Sequence, residues 1–161
     1  MVLIVMGVTG AGKTTIGRAL ATSLGWEFHD GDDLHSEANK RKMHRGIALD
    51  DADRAPWLSA ILKLIEAMLS EGRNGVVACS ALKKSYRDEL VVDQNLVKVV
   101  YLKVSEQLIA ERLRNRVGHF MNPGLLQSQF DTLEEPADAI VVDASMAPEA
   151  VVNAIRARLG R

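Results

Sequence analysis

The chain has 161 residues, 47% hydrophobic and 25% charged, with 20 Lys+Arg against 21 Asp+Glu and a formal net charge of −1. That is ordinary soluble-domain usage at a length suited to one core, which excludes a disordered tail protein and a fibrous repeat. The near-zero charge gives no global attraction to nucleic acid or to an anionic membrane. In chain order, the apolar run Val2–Met6 reads as a first strand, followed by a helix from Lys13 to about Leu24 that Gly25 stops. Trp26–His29 is the second strand. A long helix starts near Pro56, carries Trp57, Ile61, Leu64, Ile65 and Met68 at helical spacing, and ends at Gly72. Gly75–Cys79 and Val97–Lys103 are the third and fourth strands. The polar, basic stretch Arg112–Gly124 reads as a mobile flap. Ala139–Val142 is the fifth strand, and a last helix opens at Pro148 and turns Val151, Val152, Ile155 and Leu159 inward.

Strands alternating with helices predict an α/β fold with a central, mainly parallel five-stranded sheet flanked by helices. Several strands are continuous β-branched runs, as strands covered on both faces require. The expectation is one domain over residues 1–161, with a small mobile lid at about 112–124 inserted in it. The opening apolar run is five residues long, too short for a signal-peptide core or a membrane span. The lone cysteine, Cys79, leaves no intramolecular disulfide, so a reducing, cytoplasmic setting is expected. His29, His35 and His44 show no metal-ligand spacing. Cys79 reads as a small core residue.

Directly after the first strand stands Gly7-Val8-Thr9-Gly10-Ala11-Gly12-Lys13-Thr14-Thr15, which satisfies G-x-x-x-x-G-K-[ST]. Glycines let the backbone curl until its N–H groups point at phosphate oxygens, and the following helix adds its positive end. The expected nucleotide-binding residues are therefore Gly10, Ala11, Gly12, Lys13, Thr14 and Thr15. Lys13 bridges the β- and γ-phosphates in such a loop, and the Thr14 hydroxyl holds Mg²⁺. The motif implies nucleoside triphosphate binding in a three-layer P-loop fold.

A regulatory GTPase needs D-x-x-G and N-K-x-D. No glycine here has an aspartate three positions before it, and Asn39-Lys40 is followed by Arg41-Lys42. The size excludes a large motor or helicase. A small kinase remains, and it needs an acidic pair near the phosphates, an acceptor pocket and a basic flap that excludes water. The acidic pair is Asp30-Gly31-Asp32 at the end of the second strand. Asp32 is the candidate for orienting and deprotonating an acceptor hydroxyl, and Asp30 for helping to hold Mg²⁺. The alternative is that Asp32 or Asp33 only caps a helix. In the flap, Arg112 and Arg116 are four residues apart and suit a phosphate clamp, or else a solvated basic helix end.

Several further strings carry a resemblance. Asp30-Gly31-Asp32-Asp33-Leu34-His35, Asp53-Arg54-Ala55-Pro56-Trp57-Leu58, Cys79-Ser80-Ala81-Leu82-Lys83, Gly118-His119-Phe120 and Gln129-Phe130-Asp131-Thr132-Leu133-Glu134-Glu135-Pro136 occur in the order seen in the gluconate kinase family. With the phosphate loop, the resemblance runs from Gly7 to about Asp143. It implies ATP-dependent phosphorylation of D-gluconate at its 6-hydroxyl, a fold like the nucleoside monophosphate kinases and shikimate kinase, and usually a homodimer. An acidic acceptor needs cations besides those on ATP, and Arg54, Lys83 and Arg87 supply them, with Ser80 as a further contact or a helix cap. Thr9 and Ala11 stand where serines are frequent in the family, which leaves the backbone cradle intact. A kinase for another small hydroxy acid, shikimate-like or an aldonate, is the alternative, with a nucleoside monophosphate kinase further off. Lys13, Asp32 and Arg116 are the expected catalytic residues.

Overall fold

In the computed structural model, residues 1–115 and 123–161 are described. Five strands, β1 (Val2–Met6), β2 (Glu27–Asp30), β3 (Gly75–Ala78), β4 (Val97–Lys103) and β5 (Ile140–Asp143), form one all-parallel sheet in the order β2-β3-β1-β4-β5. The helices are α1 (Lys13–Leu24), α2 (Glu37–His44), α3 (Asp51–Ser70), α4 (Lys84–Leu90), α5 (Glu106–Arg114), α6 (Pro123–Thr132) and α7 (Pro148–Arg158). A 3-10 turn over Gly31–Leu34 follows β2. Expected and observed strands differ by at most one residue at either end.

Strand alternation divides the core into two layers. Leu3 and Val5 of β1 face α1, α5, α6 and α7, where Ile16, Leu20, Ile109, Leu126, Val152 and Ile155 cover them. Val2, Ile4 and Met6 face α3 and α4, meeting Trp57, Ile61, Ile65, Met68 and Leu90. Every residue of β1 is buried, the pattern of a strand enclosed on both faces.

The long helix begins earlier than Pro56. Asp50 accepts from Asp53 N at 2.7 Å, and the Asp53 side chain accepts from Asp50 N at 3.1 Å, a reciprocal box that starts α3 at Asp51. Two satisfied N-terminal donors outweigh the preference of proline for the first helical position. Pro56 then lies inside the helix, where it cannot donate to the Ala52 carbonyl.

In a parallel sheet the carboxyl ends of the strands share one edge, and the order reverses beside β1. The phosphate loop after β1, the acidic turn after β2 and the Cys79–Lys83 segment after β3 therefore meet there. Gly31 makes the closest approach, since a Cβ on it would stand 2.6 Å from the Ala78 carbonyl oxygen. The Trp57 indole N–H also donates to the Gly31 carbonyl at 2.7 Å, clamping the turn onto α3. Gly31→Ala is expected to cost about 1–3 kcal/mol by overpacking, read as a lowered urea midpoint at constant slope. An unchanged midpoint would show that the turn moves freely away from β3.

Candidate active site

The phosphate loop is tied down from four sides. Gly10 and Gly12 hold φ of 83° and 97°, left-handed values open to glycine at no steric cost. Ala11 N donates to Val8 O at 3.1 Å, and Lys13 Nζ donates to the same carbonyl at 3.0 Å. Gln129 on α6 accepts from Thr9 N at 2.7 Å. Arg112 on α5 donates to Gly10 O at 3.2 Å and to Ala144 O at 2.5 Å, fastening the loop to the segment after β5. Arg112 therefore braces the loop backbone. Arg116, His119 and Phe120 of the expected lid lie outside the described residues.

The acidic turn meets the loop through one hydrogen bond. Thr14 Oγ1 donates to Asp30 Oδ2 at 2.8 Å, while Asp30 Oδ1 accepts from Asp32 N at 3.0 Å and caps the 3-10 turn. Asp30, rather than Asp32 or Asp33, is thus the cap, and Ser36 caps the following α2. Asp32 is free of capping duty and lines the cavity with Lys13. Asp32 is exposed toward this cavity. Desolvation raises its pKa above the ordinary carboxylate value, with Lys13 pulling the other way. Desolvation likewise lowers the pKa of Lys13, opposed by Asp32, Cys79 and Asp30. A carboxyl poised upward next to an ammonium is the arrangement of an acid–base pair at a phosphate site.

A cavity of about 250 Å³ opens beside these groups. Thr9, Lys13, Asp32, His35, Arg54, Trp57, Ser80 and Tyr86 are among the residues that line it. Arg54 donates to Tyr86 Oη at 3.1 Å, and the Tyr86 hydroxyl donates to Asp51. Lys83 Nζ donates to Asp51 Oδ1 at 2.8 Å. Arg54 thus reaches the cavity with its guanidinium braced by Tyr86. Ser80 lines it without capping α4, whose N-cap is Lys83. Lys83 stands outside the wall, paired with Asp51.

Arg87 is not among the residues that line this cavity. It is 6% exposed, and its guanidinium donates to Ala81 O at 2.8 Å, Leu82 O at 3.0 Å and Glu134 O at 2.7 Å. Ala81 is the one described non-glycine residue with positive φ, 43°, so Arg87 holds a strained turn against the 134 segment. Those bonds point the charge into backbone, away from the cavity. A larger groove of about 710 Å³ runs beside Arg87 along α4 and residues 134–140, but contains none of the phosphate-loop residues.

Sequence reasoning missed Gln129, Tyr86 and Trp57 as site residues. Trp57 reads as a core residue at helical spacing, and nothing in the spacing of these residues announces a partner across the fold. Thr14 and Asp30 present a hydroxyl and a carboxylate 2.8 Å apart, hard oxygen donors suited to Mg²⁺. Among the described residues no group of three His, Cys, Asp or Glu side chains could by itself hold a metal ion.

Residues 9–159 match the family model described as shikimate kinase. Curated relatives narrow this. The chain is 47% identical over 145 residues to a probable gluconokinase of Dictyostelium discoideum, covering 86% of this chain and 72% of that one. It is 46% identical over 154 residues to the gluconokinase of Gluconobacter oxydans, covering 94% and 86%. The chain belongs to the gluconokinase family. A gluconokinase crystal structure from Sinorhizobium meliloti superposes with a TM-score of 0.88 at 43% identity, covering 99% of this chain and 91% of that one. Membership makes the protein a phosphotransferase with a P-loop kinase fold, which implies ATP as phosphoryl donor.

Arg87→Lys is expected to lower unfolding stability by about 2 kcal/mol, because an ammonium cannot span three carbonyls and leaves buried acceptors unmade. Chemical denaturation measures this. A rise in acceptor KM with no loss of stability would return Arg87 to the binding wall.

Proposed function

We propose that the protein is a gluconokinase that transfers the γ-phosphoryl group of ATP to the 6-hydroxyl of D-gluconate, giving 6-phosphogluconate and ADP. The observation that carries this reading is the shared cavity, which Lys13, Asp32, Arg54 and Ser80 all line. Gluconate offers a terminal hydroxyl for the first pair and a carboxylate for Arg54, whose guanidinium suits bidentate binding of such a group. The relatives' names support the same acceptor.

In this mechanism, backbone amides of residues 10–15 and the Lys13 ammonium hold the phosphates. Thr14 and Asp30 would hold Mg²⁺, which would supply charge neutralisation on the phosphate oxygens. Asp32 accepts the proton of the 6-hydroxyl as its oxygen forms a bond to the γ-phosphorus and the bond to the β-bridging oxygen breaks. Arg116, in the proposed lid outside the described residues, neutralises charge spreading over the transferred group. Arg112 sets the loop that the phosphates occupy. Ser80 contacts acceptor hydroxyls, and Lys83 acts on Arg54 through Asp51 and Tyr86.

The reading includes a single domain over 1–161 with a lid at about 112–124, a cytoplasmic setting that suits the buried, unpaired Cys79, and a homodimer. Exposed Val92 and Leu96 offer apolar surface for a second copy. No described helix is long and apolar enough to cross a membrane.

An ADP-release assay over gluconate, other aldonates, shikimate and nucleoside monophosphates tests the acceptor. Gluconate should support turnover and nucleoside monophosphates should not. Brisk turnover of shikimate with none of gluconate would sink the assignment. Lys13→Ala and Asp32→Asn should each lower kcat by about 100-fold or more with the thermal midpoint retained. Because desolvation raises the Asp32 pKa, its base form is lost on acidification at a pH above that of an unperturbed aspartate. The acid limb of kcat/KM should therefore lie there, and an acid limb at the value of an unperturbed aspartate would remove Asp32 from the role.

A further inference from the structure

His35 lines the acceptor cavity three residues after Asp32 and plays no part in the mechanism above. It is 8% exposed and lies flat on Trp57, with ring centroids 4.4 Å apart and planes at 9°. Trp57 is itself fixed by its indole bond to Gly31 O, so the imidazole cannot tilt without losing the stack.

The proton on this ring is placed by its neighbour. Asn39 Nδ2 stands 2.8 Å from Asp53 O, which only accepts, so the amide must present its nitrogen there. The same nitrogen lies 3.3 Å from His35 Nδ1. Its second hydrogen therefore points at Nδ1, which must accept, and the proton of the neutral ring resides on Nε2. The Asn39 amide nitrogen has these two partners. Among the described residues Nε2 has no hydrogen-bond partner, and no buried side-chain nitrogen or oxygen is left unsatisfied, so Nε2 keeps some access to the cavity that His35 lines.

We infer that His35 is a specificity-determining residue, whose Nε2–H donates to one non-reacting hydroxyl oxygen of a polyhydroxy-acid acceptor. Asp32 takes the reacting hydroxyl and Arg54 the carboxylate, and a neutral donor with a preset hydrogen reads an oxygen of the carbon chain. The ring also stays neutral. Burial first, then the charges of Arg54 and Lys40, push its pKa down to about 4. A donor of this kind selects for an oxygen at one position, because a partner lacking it leaves the N–H unpaired in a confined site.

This inference rests on the gluconate reading, and the experiment separates the two. Wild type and His35→Phe, which keeps an aromatic ring on Trp57 but deletes the donor, are assayed with gluconate and with monodeoxygluconates that retain the 6-hydroxyl. With gluconate, the substitution should raise KM about tenfold, more than it lowers kcat. With one monodeoxygluconate the ratio of variant to wild-type KM should collapse to within about twofold, since the oxygen that Nε2 reads is gone. A tenfold ratio for every analogue, or no change with gluconate, overturns the inference. Nitrogen-15 NMR of the wild-type imidazole gives a second measurement that does not depend on the variant folding. A protonated Nε2 and bare Nδ1 are expected, and the opposite tautomer overturns it. Failure of the wild type to phosphorylate gluconate would instead count against the acceptor assignment, leaving the tautomer measurement to judge the donor.

Discussion

The parallel pairing of β3 between β1 and β2 sets how far the phosphate loop stands from the acidic turn. Gly31 has no side chain, so the turn after β2 can close onto the end of β3, and the Trp57 indole holds it there. From that position Asp30 reaches Thr14 at 2.8 Å, joining the second strand to the start of α1. Lys13 and Asp32 then line one cavity, where desolvation pulls one pKa down and pushes the other up. A bulkier residue at position 31 would disturb all of these relations together.

The site contains two kinds of arginine. Arg54 keeps its guanidinium at the cavity, braced by a tyrosine hydroxyl that is itself tied to Asp51. Arg87 and Arg112 spend their donors on backbone carbonyls, holding loops in shape. Both uses suit a planar fork of fixed donors, and a lysine would perform neither equally. Charge counted along the chain therefore overstates the cations that a substrate can meet.

Much of the fold was legible because hydrophobic period reports burial directly. Short apolar runs such as Val2–Met6 suit strands covered on both sides, and the phosphate loop carries its own conformational demand in Gly10 and Gly12. The start of α3 was misread because a helix terminus depends on which cap closes, and Asp50 with Asp53 closes a better one than Pro56. Asp30 and Asp32 were found as a pair, yet their division of labour was not visible. Which carboxylate caps and which stays free depends on Thr14, sixteen residues away.

The phosphate-binding loop and the strands of the sheet are legible along the chain, since each is written in residue types over a few consecutive positions. The work of single side chains is settled by tertiary packing. Arg87 is claimed by a carbonyl 47 residues away, Arg112 by one 32 away, and Asn39 by one 14 away, and through Asn39 the proton of His35 is placed. A side chain donates to whatever acceptor the fold brings within about 3 Å, and that neighbour is set by packing rather than by position along the chain.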